Sequence, residues 1–309
     1  MRPVGTGTVR AVPKRRNLGP LYSGPMTLWF TVFFLVPVLI IVGYSFLKAG
    51  TYGGVENVFS LDAYRSLADR GILHITLRTL YTAIITTIIT ILIALPCGYH
   101  LARSRRQNLL LLLIIIPFWT NFLIRVFAWM NILGNGGFLN ATAIPFWNSL
   151  VSGRLPFLEI AAPVQFLYNQ GAVVMVLVYM YLPYAILPLF ASIDKFDFSL
   201  LEAARDLGAS QSGALFRVLL PNIRGGIFTA VLFTFIPVFG AYAVPHLVGG
   251  RDSYMLGNMI AHQLLNARNW PRAAAISMVI TVVTTVGVML SMVSRKPEGP
   301  AKGTEGDAV

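Results

Sequence analysis

Few side chains in this sequence have a type and spacing suited to chemistry, and the most conspicuous is a lone cation. Arg125 sits inside an apolar run at 109–133, about eight residues or ~12 Å from its end at the helical rise of 1.5 Å per residue. An arginine near a bilayer centre costs at least ~2.5 kcal/mol, so it should face a cavity or a partner. The residues before it include Pro117, Phe118, Trp119, Thr120 and Asn121, which add a hydroxyl, amides and aromatic faces. Together they read as the lining of a passage for a polar solute. Arg78, close to the end of a run at 75–99, reads instead as a snorkelling side chain. No catalytic set accompanies them. No Gly-x4-Gly-Lys-Ser/Thr loop occurs, so ATP binding and hydrolysis are not expected of this chain. His74, His100, His246 and His262 are scattered, His-Glu-x-x-His is absent, and no metal site is expected. The single cysteine, Cys97, excludes an intrachain disulfide.

A second kind of chemistry, docking, is suggested by residues 199–221, a polar-containing segment between two apolar runs. Ser199 and Glu202 have the spacing of a capping box, and residues 200–207 are good helix formers. Gly208 falls where a left-handed C-cap is needed. Ser210 is placed to cap a second helix that runs through Phe216 and Val218 until Pro221 stops it. Ala203 and Ala204 leave a low-profile surface, so the first helix can lie flat in a groove on another protein.

The elements that must position these residues are membrane spans. The 309 residues are 56% hydrophobic and only 12% charged, with a mean hydropathy of +0.68. Soluble domains carry roughly a quarter charged residues. Six apolar runs, at 26–47, 75–99, 109–133, 171–191, 226–248 and 273–293, are near or above the ~20 residues a helix needs to cross the bilayer. None contains Asp or Glu, and no alternating pattern points to a barrel. Prolines at 37, 96, 117, 183, 188, 237 and 245 mark expected kinks or breaks. Residues 1–25 form a basic segment, and 294–309 a polar tail expected to be disordered. In the long loop 134–170, Phe146, Trp147 and Phe157 predict a short helix at the membrane interface. With the N-terminus inside, inner segments hold 15 of the 24 Lys and Arg and outer loops hold 7, placing both termini and residues 199–221 in the cytoplasm. The formal charge of +12 is thereby assigned to lipid headgroups and topology, not to nucleic acid.

The segment 199–221 resembles the cytoplasmic loop of ATP-binding-cassette importer permeases: Glu-Ala-Ala, three residues, Gly, nine residues, Ile, one residue, Leu-Pro. Here these are Glu202, Ala203, Ala204, Gly208, Val218 in place of Ile, Leu220 and Pro221. Residues 117–140, 239–257 and Asn269-Trp270-Pro271 are similar to the spermidine/putrescine branch, and the resemblance extends over about 27–293. It implies an all-α membrane protein with six transmembrane helices and a type I importer fold. It also implies a bacterial inner-membrane location, a second related permease, cytoplasmic ATPases carrying ATP and Mg, and a periplasmic solute-binding protein. Glu202, Ala203 and Gly208 would then belong to the coupling helix that docks in the ATPase. One residue departs from the branch: Ala241 precedes Tyr242 where polyamine permeases usually carry Glu.

The expected function is therefore a non-enzymatic translocation subunit without a cofactor of its own. Ser199, Glu202, Ala203, Ala204, Gly208, Leu220 and Pro221 are assigned to ATPase coupling, and Trp119, Asn121, Arg125 and Tyr242 to the solute path. Polyamine is the first cargo, with an amino-acid-like, opine-like or phosphonate-like solute as the alternative. An ion-coupled secondary transporter is the rival class, and it would need an intramembrane carboxylate.

Overall fold

The computed structural model describes residues 19–151 and 163–293. Most of the basic N-terminal segment, the tail expected to be disordered, and Phe157 of the long loop lie outside the described residues. Helix α1 (Gly19–Phe30) passes through a π-turn at Thr31–Leu35 into α2 (Val36–Ser45) and forms the first apolar helix. A hairpin of β1 (Leu47–Ala49) and antiparallel β2 (Val55–Phe59) follows, then the short α3 (Asp62–Arg65). This small sheet is an addition to an otherwise helical chain. Gly53 and Gly54 take φ of +100° and +81°, a region open to glycine, which lets the chain reverse between the strands.

The second run is α4 (Arg70–Arg103), 34 residues capped by Asp69, whose carboxylate accepts from the Gly71 N–H at 3.1 Å. The third run is broken at Pro117, one of the expected positions. It is divided into α5 (Gln107–Ile115), a 3-10 turn at Ile116–Trp119 and α6 (Phe122–Leu133), with α7 (Phe138–Val151) beyond. The fourth is α8 (Gln170–Asp194). Then come α9 (Ser199–Asp206), α10 (Gln211–Ala214), a π-turn at Leu215–Leu219, and α11 (Leu220–Asn222). The fifth run also divides, into α12 (Arg224–Phe239) and α13 (Ala243–Val248). Finally α14 (Leu256–Leu265) precedes α15 (Trp270–Val293), the sixth run. Among the described residues, five helices are long and apolar enough to cross a membrane, or six if the pair Gln211–Asn222 and Arg224–Phe239 is one bent span.

Proline does not break these helices wherever it occurs. Pro96, Pro183, Pro188 and Pro237 lie inside continuous helices. Pro37 and Pro221 each stand two residues after a π-turn, where the wider turn relieves the clash between the ring and the carbonyl four residues back.

The centre of the bundle is α4, α8 and α12, each packed against the other two. Small residues bring their backbones together, as expected where lipid removes the hydrophobic drive between helices. Ala83, Ala94, Ala185 and Ala230 are fully buried. A Cβ at Gly98 would lie 3.3 Å from the Phe190 nitrogen, and one at Gly226 would enter the Ser192 side chain. Threonine hydroxyls fill the buried polar positions of α4: Thr79, Thr82, Thr87 and Thr90 each donate to the carbonyl four residues earlier, at 2.7 to 2.9 Å. Thr79 also accepts from the Leu256 N–H and Thr82 from Gln170 Nε2, each at 2.9 Å. Helix α2 packs on α15, which also meets β1, α3 and α14.

Candidate functional site

The segment after α8 folds as an elbow held by local hydrogen bonds. Asp197 Oδ1 accepts from the Ser199 N–H at 3.0 Å, so the cap of α9 comes from Asp197. The expected Ser199–Glu202 box does not form, because Phe198 already has helical dihedrals and Ser199 is the first helical residue. Bonds from the side chain and backbone of Ser199 hold the Asp197 carboxyl below its ordinary range. Since the folded-state value is the lower one, this cap is intact at neutral pH and weakens only as pH falls through it. At the far end Gly208 takes φ +89°, as the sequence predicts. Its N–H donates to the Arg205 carbonyl at 2.9 Å and the Ala209 N–H to the Ala204 carbonyl at 3.0 Å, the paired bonds of a Schellman cap.

Between those caps α9 has two faces. Leu201 is buried against Ile193, Leu219 and Ile223, with Ala204 half-buried beside it. Glu202, Ala203, Arg205 and Asp206 are exposed. Ser210 Oγ accepts from the Gly213 N–H at 3.1 Å and starts the second helix as predicted. Replacing Ser210 with Ala should cost about 1 kcal/mol of local stability. Faster amide exchange at residues 211–214 would register it. Pro221, however, does not stop this helix. The helix continues to Asn222 and bends by 73° into α12 at Ile223, while Asn222 Nδ2 donates to the Val218 carbonyl at 2.7 Å. Leu220 packs on the buried cluster and Pro221 is exposed.

The expected path residues cluster at two helix breaks. At the first, Thr120 is extended and Asn121 caps α6 by accepting from the Leu123 N–H at 2.8 Å. Arg125 lies one turn further on. Its guanidinium carbon is 4.7 Å from the Phe118 ring centre, and its Nε and Nη1 are buried without a hydrogen-bond partner. Phe118 stacks on Tyr179 at 5.8 Å, and Trp129 meets the same ring edge-on at 5.4 Å. Trp119 does not join this group and is 79% exposed. Tyr242 marks the second break, between α12 and α13, and its ring stacks on His246 at 5.3 Å. Beyond the breaks, α13 packs on α6. Arg78 contacts His74 Nε2 at 3.0 Å and is half-exposed.

Sequence reasoning missed the brace behind the second break. Buried Asn258 donates to the Tyr242 carbonyl at 3.2 Å and accepts from the Met255 N–H at the same distance. Gly257 lies so close to Ala241 that a Cβ there would meet the Ala241 backbone. The signal was present as an amide beside a glycine in an otherwise apolar stretch. The Tyr179 and Trp129 rings gave no such signal, since aromatic residues are common throughout the spans.

These features have counterparts in known proteins. The family model described as the binding-protein-dependent transport system inner membrane component matches residues 91–298. The chain belongs to this family. It is a multi-pass inner-membrane permease subunit of the ATP-binding-cassette importer class. The permease is 36% identical over 264 residues to the spermidine/putrescine transport system permease protein PotB of Escherichia coli K12, covering 85% of this chain and 91% of that one. Its identity to the PotB of Haemophilus influenzae is 35% over 257 residues, covering 82% and 86%. The inner membrane transporter permease YdcU of Escherichia coli K12 is 28% identical over 283 residues, covering 89% of this chain and 88% of that one. Among solved structures, a bacterial transporter that imports the acidic polysaccharide alginate superposes with a TM-score of 0.69 over 90% of this chain and 97% of that one, at 14% identity. The alginate transporter bound to its periplasmic protein gives 0.66 over 89% and 93%, at 16% identity.

Proposed function

We propose that this permease moves a polyamine, spermidine or putrescine, delivered by a periplasmic solute-binding protein. ATP hydrolysis on separate cytoplasmic ATPase chains drives the movement, and a second related permease completes the pathway. The observation that carries this reading is the 36% identity to a spermidine/putrescine permease over nearly the whole membrane part. The ends of α4 and α8 and the elbow share one end of the bundle, and their Arg103, Arg105, Arg106, Lys195, Arg205, Arg217 and Arg224 support a cytoplasmic assignment of that end. Both termini would then be cytoplasmic, and α9 would be the coupling helix gripped by the ATPase. Ser199, Glu202, Ala203, Ala204, Gly208, Leu220 and Pro221 would form or support that contact.

Trp119, Asn121, Arg125 and Tyr242 are proposed to line the path. Trp119 and Tyr242 are 79% and 40% exposed on this chain, so the path would run along its seam with the second permease. Arg125 also favours a second reading. Its buried nitrogens have no partner, and a cation beside it would be repelled across a low-dielectric gap. A carboxylate-bearing, amino-acid-like solute would be attracted instead.

Uptake of labelled putrescine and spermidine by the assembled importer in vesicles tests the cargo. Competition by unlabelled amino acids distinguishes the second reading, and transport of neither polyamine would remove the first. Under the second reading, Arg125→Leu is expected to lower uptake of a carboxylate-bearing solute about tenfold with assembly retained, the scale of losing one charged contact worth ~1.4 kcal/mol. Unchanged uptake would take Arg125 off the path.

A further inference from the structure

The last turn of α4 carries an aromatic–cation cluster whose contacts neither the coupling nor the path assignment uses. Arg103 Nη1 donates to the Tyr99 hydroxyl at 2.9 Å. Its guanidinium carbon lies 5.8 Å from the Tyr99 ring centre and 5.5 Å from that of Phe198. Phe198 is the residue immediately before α9. Its ring meets Tyr99 edge-on at 6.1 Å and Phe196 at 5.6 Å, with an interplanar angle of 89° for the latter. Tyr99, Arg103 and Phe198 also wall a cleft of about 60 Å³ whose other side is Leu201, Glu202 and Arg205 of α9. Among the described residues no ion pair engages Arg103, so its anchorage is the two rings and one hydroxyl.

We propose that Arg103 is a positioning residue of the transport cycle, clipping the start of the coupling helix to the end of the second span. The proposal rests on the reading of α9 as the coupling helix. Covalently, α9 is joined to the bundle through residues 195–198 on one side and the Gly208 turn on the other. Both are short non-helical joints, and a push on α9 can be spent in bending them. The clip adds a direct route to α4, the helix packed against both α8 and α12. An aromatic–cation contact suits this task because a guanidinium can slide over a ring face without losing its attraction, whereas a single hydrogen bond is lost once its geometry fails.

The test uses the complete importer, reconstituted in vesicles with its second permease, ATPases and binding protein. Arg103→Met keeps the stem and removes the charge. It is expected to lower solute moved per ATP hydrolysed about fivefold, while the ATPase rate and subunit recovery stay within about twofold, and Arg103→Lys should restore most of the ratio. Phe198→Leu, which keeps apolar volume but removes the ring, should reproduce the loss and serves if Arg103→Met does not assemble. An unchanged ratio in these variants would overturn the proposal, as would a fall in uptake and ATPase activity in strict proportion. Failure of the underlying reading shows separately: the unaltered complex would then retain no ATPase or show no nucleotide-driven uptake.

Discussion

Replacing Glu202 with Lys should release the ATPase from this permease and stop nucleotide-driven uptake, while leaving the chain inserted and folded. The expected weakening of the ATPase contact is about 30-fold or more, corresponding to the ~2 kcal/mol that marks a central interface residue. The fold should tolerate the change because Glu202 is exposed and makes none of the contacts that hold the elbow. Those are the Asp197 cap, the Schellman bonds at Gly208 and the burial of Leu201. A lysine in the first helical turn faces the positive end of the dipole, at a cost of only ~0.3–1 kcal/mol. Recovery of the ATPase with tagged permease, titrated against ATPase concentration, checks the effect. Glu202→Gln should lie between wild type and Lys, since it removes the charge without reversing it. Normal recovery with Glu202→Lys would mean that α9 does not face the motor.

Gly226→Leu should have the opposite profile, with no stable permease recovered and hence no complex to assay. Gly226 is buried where α12 crosses α8, and even a Cβ would overlap Ser192 and come 3.0 Å from the Pro188 carbonyl. The carbonyl belongs to the backbone of a packed helix and cannot swing aside, so the helices must part. Overpacking of this kind costs about 1–3 kcal/mol at well-packed sites, and a full leucine against backbone belongs at or above the upper end. Its neighbour supplies the control. Gly225 is exposed, with nothing within 4 Å of a Cβ, so Gly225→Leu should be recovered at normal yield. The yield of folded, detergent-solubilised permease recovered from membranes separates the two. Similar behaviour of both would contradict the close approach of α8 and α12.

The hydrophobic runs made the bundle legible, because twenty apolar residues with no acid have little alternative to a membrane helix. Their prolines marked possible interruptions but not which of them would break the helix. Residues 116–121 and 239–242 lie within long apolar runs, and their Pro, Thr, Asn, Gly and Tyr mark a dip in hydropathy without saying that the helix ends there. The breaks depend on Asn121 capping a new helix and on Gly257 and Asn258 bracing the second gap from a later segment. At the elbow, Asp197 and Ser199 were equally able cap formers by type. The choice between them depended on the dihedrals of Phe198, which spacing alone does not specify. The hairpin at 47–59 was missed because its strands are too short for a convincing alternation, although the Gly53-Gly54 pair was a usable sign. Arg125 was legible as a costly cation, but its seat against Phe118 required the fold to bring the 3-10 turn back over α6.

The threonine ladder of α4 has a consequence for how this protein is made. Four of its hydroxyl protons are already engaged by carbonyls of the same helix, while the buried Thr86 hydroxyl has no partner. Those four donors are met within α4 itself, before α8 and α14 have been synthesised. What stays open is lone-pair capacity on Thr79 and Thr82, and the groups that fill it, the Leu256 amide and the Gln170 side chain, emerge only later. An early segment thus carries waiting acceptors that latecomers claim, so the order of synthesis is built into its polar chemistry.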